Sequence, residues 1–415
     1  MRTKGTRLAR FVFCFAGWVV CVGLVSATSG GHSEDSIISP GTATAWLKAR
    51  STAMIHDCRR STRSRVSAFP PQVAGGYEAF WLRDYAYMLE GNSEAFSDQE
   101  VTNAYLFFLA GQRADGAMVD CIKFDGTPCY MPGYGTMGLN PVADGSQFMV
   151  DVAWRTWQKT RDTNLVAQTI GKLVKGMEVA PRDPTNGLVF IKPGLAHDRC
   201  PYGFTDGIRK QGDLLFCSLL FVQACRQLGD LEEAVQQKSE SARWRAEGEK
   251  MAQKTRETFW DGRVGLFNAA TVVCKQPDIW GSAFAVYLGV ATPEQTRAVA
   301  TYFKEHYSEI VKRGQIRHLP GGMFWEQTIG EAPGTYQNGG YWATPTGWFV
   351  YTLDFADRAL ADQTVIDLAQ NFRATGNENE WINDGAKGVS HYLDSATLPL
   401  DGIGAMEKRR REMGR

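Results

Sequence analysis

The chain of 415 residues carries 45 Lys and Arg against 45 Asp and Glu. Balanced, interspersed charge gives no basic footprint for nucleic acid, so none is expected as a partner. Without a Gly-x-Ser-x-Gly elbow, a His-Glu-x-x-His pair or a Gly-Lys-Ser/Thr loop, serine-hydrolase, helix-borne zinc and phosphate-cradling chemistries fall away.

The first element is a leader. Lys4, Arg7 and Arg10 precede an apolar run from Phe11 to Val25, and Val25 and Ala27 are the small residues of a cleavage site. This reads as a secretory signal over residues 1–27, leaving a domain over 28–415 that is secreted, periplasmic or held within the secretory pathway. No later run is long and apolar enough to anchor that domain in a bilayer. After cleavage seven cysteines remain, an odd number. Cys121 and Cys129 bracket a short loop suited to a disulfide. The six histidines are scattered with no zinc spacing, so no metal and no cofactor is expected.

Apolar periodicity then predicts helices over 41–57, 98–112, 144–160, 164–178, 210–229 and 233–259. Further helices are predicted over 279–289, 292–309, 343–359, 361–372 and 384–397. Asp98 and the Thr292–Pro293 step are ordinary helix starts, and Gly229 an ordinary stop. Nearly apolar helices alternate with charged ones, as 212–229 does with 233–259. That alternation suits two concentric layers: an all-α single domain built as a toroid of six helical hairpins, (α/α)6. The loops over 113–146, 180–211, 261–280, 311–342 and 373–384 are long and rich in Gly, Tyr and acids, as functional loops are. In a toroid they can gather at one end and floor a cleft.

Several stretches offer chemistry for sugars. "FWLRDYAY" sets Trp81, Arg83, Asp84 and Tyr85 among aromatics, where a charge pair is costly in a core but useful on a cleft wall. "LAGQRADG" adds Gln112 and Asp115 at a helix exit. "YGFTDGIRK" holds Asp206 ahead of the longest apolar helix, with Arg209 beside it. Partial burial there favours a protonated general acid, while Arg209 and Lys210 pull toward the carboxylate. "GGMFWEQTIGEAPGTYQNGGYW" interleaves Trp325, Tyr336 and Trp342 with Glu326, Gln337 and Asn338, ring faces between hydroxyl partners. "GNENEWIN" places Glu378 and Glu380 just before Trp381. Either is a candidate, with one carboxylate expected to enter the cleft and the other to leave it.

With these residues in place, the chain resembles the six-hairpin glycosidase superfamily. "WLRDYAYML" matches the Trp-x-Arg-Asp form that lines the non-reducing-sugar subsite in several of its families, and "YQNGGYW" is similar to a sugar-contacting segment of related enzymes. Glucosylglycerate hydrolases, trehalases, processing α-glucosidases and exo-α-mannosidases pair a mid-chain Asp acid with a late Glu base. The resemblance therefore implies an inverting exo-α-glycosidase acting on a small saccharide or a glycan's non-reducing end. Asp206 would be the acid and Glu378 or Glu380 the base, with Asp84 holding the terminal sugar. A lyase or uronyl hydrolase, or a non-catalytic carbohydrate-binding toroid, is the alternative. One departure is Tyr85, where the family nearest to that early motif has Ser.

Overall fold

The computed structural model describes residues 39–130, 142–193 and 207–414. The expected leader, Asp206 and Cys200 lie outside the described residues. Those from Ile37 onward form one compact unit.

Fourteen helices are found among the described residues. They are α1 (Pro40–Cys58), α2 (Leu82–Asn92), α3 (Asp98–Ala110), α4 (Gly145–Thr160), α5 (Thr163–Glu178), α6 (Leu215–Ala234) and α7 (Lys238–Phe259). After them come α8 (Ile279–Tyr287), α9 (Pro293–Glu305), the single turn α10 (Tyr307–Ile310), α11 (Thr346–Leu353), α12 (Arg358–Thr375), α13 (Leu393–Thr397) and α14 (Pro399–Met413). Helix α2 packs on α4, α4 on α6, α6 on α8, α8 on α11 and α11 on α14, while α13 and α14 return to α2. That closes an inner ring. Helices α1, α3, α5, α7, α9 and α12 stand outside it, each joined in sequence to an inner neighbour. The six-hairpin toroid expected from the alternation of apolar and charged helices is the architecture found.

Side-chain pattern decides the layer. Every residue from Leu82 to Leu89 on α2 is buried, as is every residue from Ile279 to Val286 on α8. The long charged helix α7 buries only Ser241, Trp244, Gly248, Met251, Ala252, Thr255 and Phe259, a single stripe at helical spacing. Capping boxes fix three outer helices, Ser39 with Thr42 on α1, Ser97 with Glu100 on α3 and Thr292 with Gln295 on α9.

Connections from inner to outer helices run two to five residues, while each connection from outer to inner spans at least 17. All the long loops therefore emerge at the N-terminal ends of the inner helices. Short antiparallel sheets knit them together. One runs through Val311–Lys312, Gln315–Arg317, Tyr341–Trp342, Ile382–Asn383 and Ala386–Lys387, tying the 311–342 loop to the 376–392 loop. Another joins Ala79–Trp81, Cys121–Lys123 and Pro128–Cys129, with Trp81 opposite Cys121 and Cys121 opposite Cys129.

The structure corrects several expectations. Helix α2 was not expected; with Leu82 to Leu89 all buried, it has no periodicity to read. Helix α6 begins at Leu215, because Gly212–Asp213 pairs as a strand with Phe190–Ile191. It also runs past Gly229, which lets Arg245 of α7 pack close: a Cβ there would lie 2.8 Å from Arg245 Cγ. The predicted helix over 384–397 is instead a strand followed by α13. The expected Cys121–Cys129 disulfide is absent and both cysteines are free. Their side chains share a hydrogen bond across the hairpin, which pushes Cys121 up and holds Cys129 at about 7.

Candidate active site

At the loop end of the ring, the first turns of α2 and α13 each carry an acid, Asp84 and Asp394. Arg83 reaches away from its neighbour Asp84. Its Nε donates to Asp144 Oδ2 at 3.2 Å, and its Nη2 to Asp120 Oδ1 and Asp144 Oδ1 at 3.1 Å each. Burial pushes Asp120 up to about 7 even with Arg83 against it. Asp84 points instead to Tyr392, whose hydroxyl lies 3.1 Å from Asp84 Oδ1 and 3.2 Å from Asp394 Oδ2. Burial raises both carboxyls, and the negative charge of Asp84 raises Asp394 further. Two desolvated carboxyl groups at one hydroxyl favour keeping a proton between them. Such a pair can both accept from and donate to sugar hydroxyls.

Glu380 enters the same neighbourhood from the 376–392 loop. Its side chain accepts the Tyr77 hydroxyl at 3.2 Å, and its charge contributes to raising Tyr392. Tyr77 in turn packs edge-on to Trp81, with ring centroids 6.1 Å apart. Gly388 makes room for this wall: a Cβ there would stand 2.5 Å from Trp381 Cδ1 and 2.9 Å from Glu380 Cβ.

Glu378 is differently placed. Arg50 of outer helix α1 grips both its oxygens, Nε at 2.7 Å and Nη2 at 3.0 Å, and His391 Nδ1 lies 3.1 Å from Oε2. The side chain is fully buried. The two glutamates thus meet different partners, Arg50 and His391 for Glu378 and Tyr77 for Glu380. Glu378 ties the loop back to α1, and Glu380 faces the carboxyl cluster.

A second group of loops meets at residues 207–211. Gly207 N–H donates to Gln337 Oε1 at 3.0 Å and Ile329 N–H to Gly207 O at 3.0 Å, while Arg209 N–H bonds to Gln327 O at 3.1 Å. Asn338 braces the 325–338 turn, accepting from Trp325 N–H at 2.8 Å and donating to Glu331 O at 3.0 Å. Lys210 Nζ sits 4.6 Å over the Trp325 ring and 3.9 Å from Asp278. Asp278 caps α8 through Gly281 N–H at 2.7 Å and bonds His318 Nε2 at 3.1 Å. The His318 ring stacks on Trp280 at 3.9 Å, and burial pushes it down to about 4, leaving it neutral near pH 7.

Among the described residues, no group of three or more His, Cys, Asp or Glu side chains is arranged to hold a metal ion. No family model matches the chain, and comparison with curated proteins finds no match. Solved structures do match. A mannosylglycerate hydrolase of glycoside hydrolase family 63 from Thermus thermophilus, in complex with glucose, aligns with TM-score 0.61 and 16% identity over 86% of this chain and 100% of that one. A rhamnosidase from Klebsiella oxytoca with rhamnose bound aligns with TM-score 0.61 and 13% identity over 89% of this chain and 64% of that one. A family 78 rhamnosidase of a Bacillus species aligns with TM-score 0.60 and 14% identity, over 88% and 35%. The fold is that of the six-hairpin glycosidases.

Against that fold, the sequence-derived residues divide. The loop end holds Arg83, Asp84, Glu380, Trp81 and half-buried Trp381, and the 207–211 and 325–342 loops hold Arg209, Trp325, Gln337, Asn338 and Tyr336. Tyr85 is corrected: it is fully buried between Phe69, Phe80, Phe96 and Phe108, one helical step round from Asp84. Trp342 is likewise core, edge-on to Trp280, with Nε1 donating to Tyr336 O. Gln112 bonds the carbonyls of Gly116 and of Lys172 on outer helix α5, which pins the turn there, while Asp115 pairs with Arg113 within the turn. Glu326 is exposed and accepts the Cys274 N–H. Arg83 offers no Nε to a ligand, since Asp144 holds it.

Tyr77, Asp120, Tyr392 and Asp394 were missed. "HYLDSAT" does carry a signal for two of them, because like "WLRD" it sets an aromatic and an Asp at the entrance of an inner helix.

Proposed function

We propose that the protein is an inverting, exo-acting α-glycosidase that removes a terminal gluco- or manno-configured sugar, with Asp206 as general acid and Glu380 as general base. The observation that carries this reading is the position of Glu380, which is 6% exposed and stands beside the Asp84–Tyr392–Asp394 cluster at the loop end of the ring. A base must be reachable by water yet partly desolvated, and Glu380 meets that requirement better than Glu378 in its Arg50 clamp. The mannosylglycerate hydrolase and rhamnosidases that share the fold lend the substrate class.

In this mechanism Asp206 protonates the glycosidic oxygen while Glu380 takes a proton from water attacking the opposite face of the anomeric carbon. The released sugar has inverted configuration. Asp84 and Asp394 hold its hydroxyls, and Trp81 and Tyr77 offer ring faces. Support for Asp206 comes from its neighbour Gly207, which is bonded to the 325–342 loop. An acidic sugar fits less well: Arg83 is engaged by two aspartates, Arg113 by Asp115, and His318 is neutral and buried.

The test is turnover of mannosylglycerate, glucosylglycerate, trehalose and aryl α-glycosides by the wild type and by Asp206→Asn and Glu380→Gln. Each variant is expected to lose at least about 100-fold in kcat while keeping its circular-dichroism spectrum. Saccharide binding by a wild type that hydrolyses none of them would make the protein a binding toroid. An active Glu380→Gln beside an inactive Glu378→Gln would move the base.

A further inference from the structure

The inner ring has a second end, where the helices pass into their short turns. A cavity of about 440 Å³ lies there, lined from all six inner-helix positions by residues that include Glu90, Arg155, Gln227, Tyr287, Tyr351 and Asp401. Its volume is that of a small-molecule site. Its mouth includes Asp230 and Arg226, 41% and 39% exposed, and its floor is far drier: the Glu90 side chain is 4% exposed and Gln227 6%.

The floor is short of donors. Arg155 Nε is held by Asp151 at 2.9 and 3.0 Å, and its Nη2 stands 3.4 Å from Glu90. Asp401, beside Glu90, takes the Tyr287 hydroxyl. Three carboxyl groups thus share one guanidinium. Gln227 Nε2 donates to Asp151, which fixes the amide with Oε1 on the other side. Gln227 Oε1 is buried and receives no hydrogen bond, and Glu90 Oε1 has only the 3.4 Å ion pair to Arg155. Burial, with Asp401 adding to it, keeps Glu90 well above the usual carboxylate range. A buried acceptor without a donor is costly, and this one, beside carboxyl groups that share a single guanidinium, leaves a place for a ligand that brings donors and positive charge. Tyr287 adds an aromatic wall, and Trp154 and Tyr351 already carry the cations of Arg155 and Arg409 over their rings.

We propose that the end of the toroid opposite the candidate active site is a second ligand site, which binds a small organic ammonium, such as an aliphatic diamine, between Glu90, Gln227 and Asp401. The site does not depend on the glycosidase reading. It would let an amine bind without occupying the sugar cleft.

Calorimetric titration of the full chain with putrescine, with glucose as the neutral comparison, tests it. Saturable one-to-one binding of the diamine is expected. Glu90→Gln should weaken it at least about tenfold, the scale of one lost charged hydrogen bond. Ala405→Trp, at a partly exposed α14 position lining the cavity, should do the same by filling space without touching a charge. The double variant Asp84→Asn, Glu380→Gln at the other end should change affinity less than about twofold. Absence of diamine binding overturns the proposal, as does a diamine lost in the double variant but kept in Ala405→Trp. Glucose rather than putrescine blocked by Ala405→Trp overturns it too.

Discussion

Two glutamates two residues apart have opposite jobs because their partners differ. Glu378 is a buried anion in a two-point clamp from Arg50. Removing its charge leaves Arg50 partly desolvated and unpaired, so Glu378→Gln is expected to cost about 3 kcal/mol of stability. A urea titration would read that as a lower midpoint, with kcat little changed in the protein that remains folded. An unchanged midpoint would contradict the structural role. His318 supplies a pH signature. Burial holds its folded pKa at about 4 against an ordinary value of 6.5. The unfolded chain therefore takes up a proton that the folded chain resists as pH falls from 6.5 to 4, and stability is lost across that window, by up to about 3 kcal/mol. Asp120, raised to about 7, works the other way, losing stability as pH rises from 4 to 7. The clean measurement is thus a difference: Tm against pH for wild type and His318→Gln, with the variant expected to show the shallower acid loss between pH 6.5 and 4. Parallel curves would contradict a neutral His318.

At the scale of the helix, close packing in the inner ring rests on glycine. On α14, a Cβ at Gly402 would lie 2.2 Å from Gly347 C of α11, and one at Gly347 would lie 2.6 Å from Pro399 O. Gly402→Ala must push α11 and α14 apart, at about 1–3 kcal/mol for such overpacking. A drop in Tm with an unaltered circular-dichroism shape is the expected reading; an unchanged Tm would show that the ring tolerates the methyl group. The same scale explains what the sequence made legible. Outer helices announced themselves through local signals: Thr292–Pro293, and the stripe along α7. Helix α2 had none, since Leu82 to Leu89 is buried on every face and its aromatics read equally well as a wall. Pro399 occupies the first turn of α14, where its missing N–H is harmless.

For the whole molecule, the six-hairpin ring followed from the alternation of wet and dry helices, and the clustering of long loops followed from their lengths. Pairings across the ring did not. Asp84 and Tyr392 meet across 308 positions of sequence, and Tyr77 and Glu380 across 303. No local pattern specifies such contacts; they arise because α2 and α13 are neighbours where the ring closes. That closure brings three carboxyl groups to one end and, at the other, leaves the donor-poor cavity around Glu90.

Inverting glycoside hydrolysis at the loop end, as proposed, leaves a stereochemical record in the product. Proton NMR of an α-linked substrate during its first minutes of hydrolysis tests it most directly, because the anomer released first is seen before mutarotation. The β-anomer of the freed sugar is expected. Initial release of the α-anomer would mean retention, and would contradict Glu380 as the base that activates water.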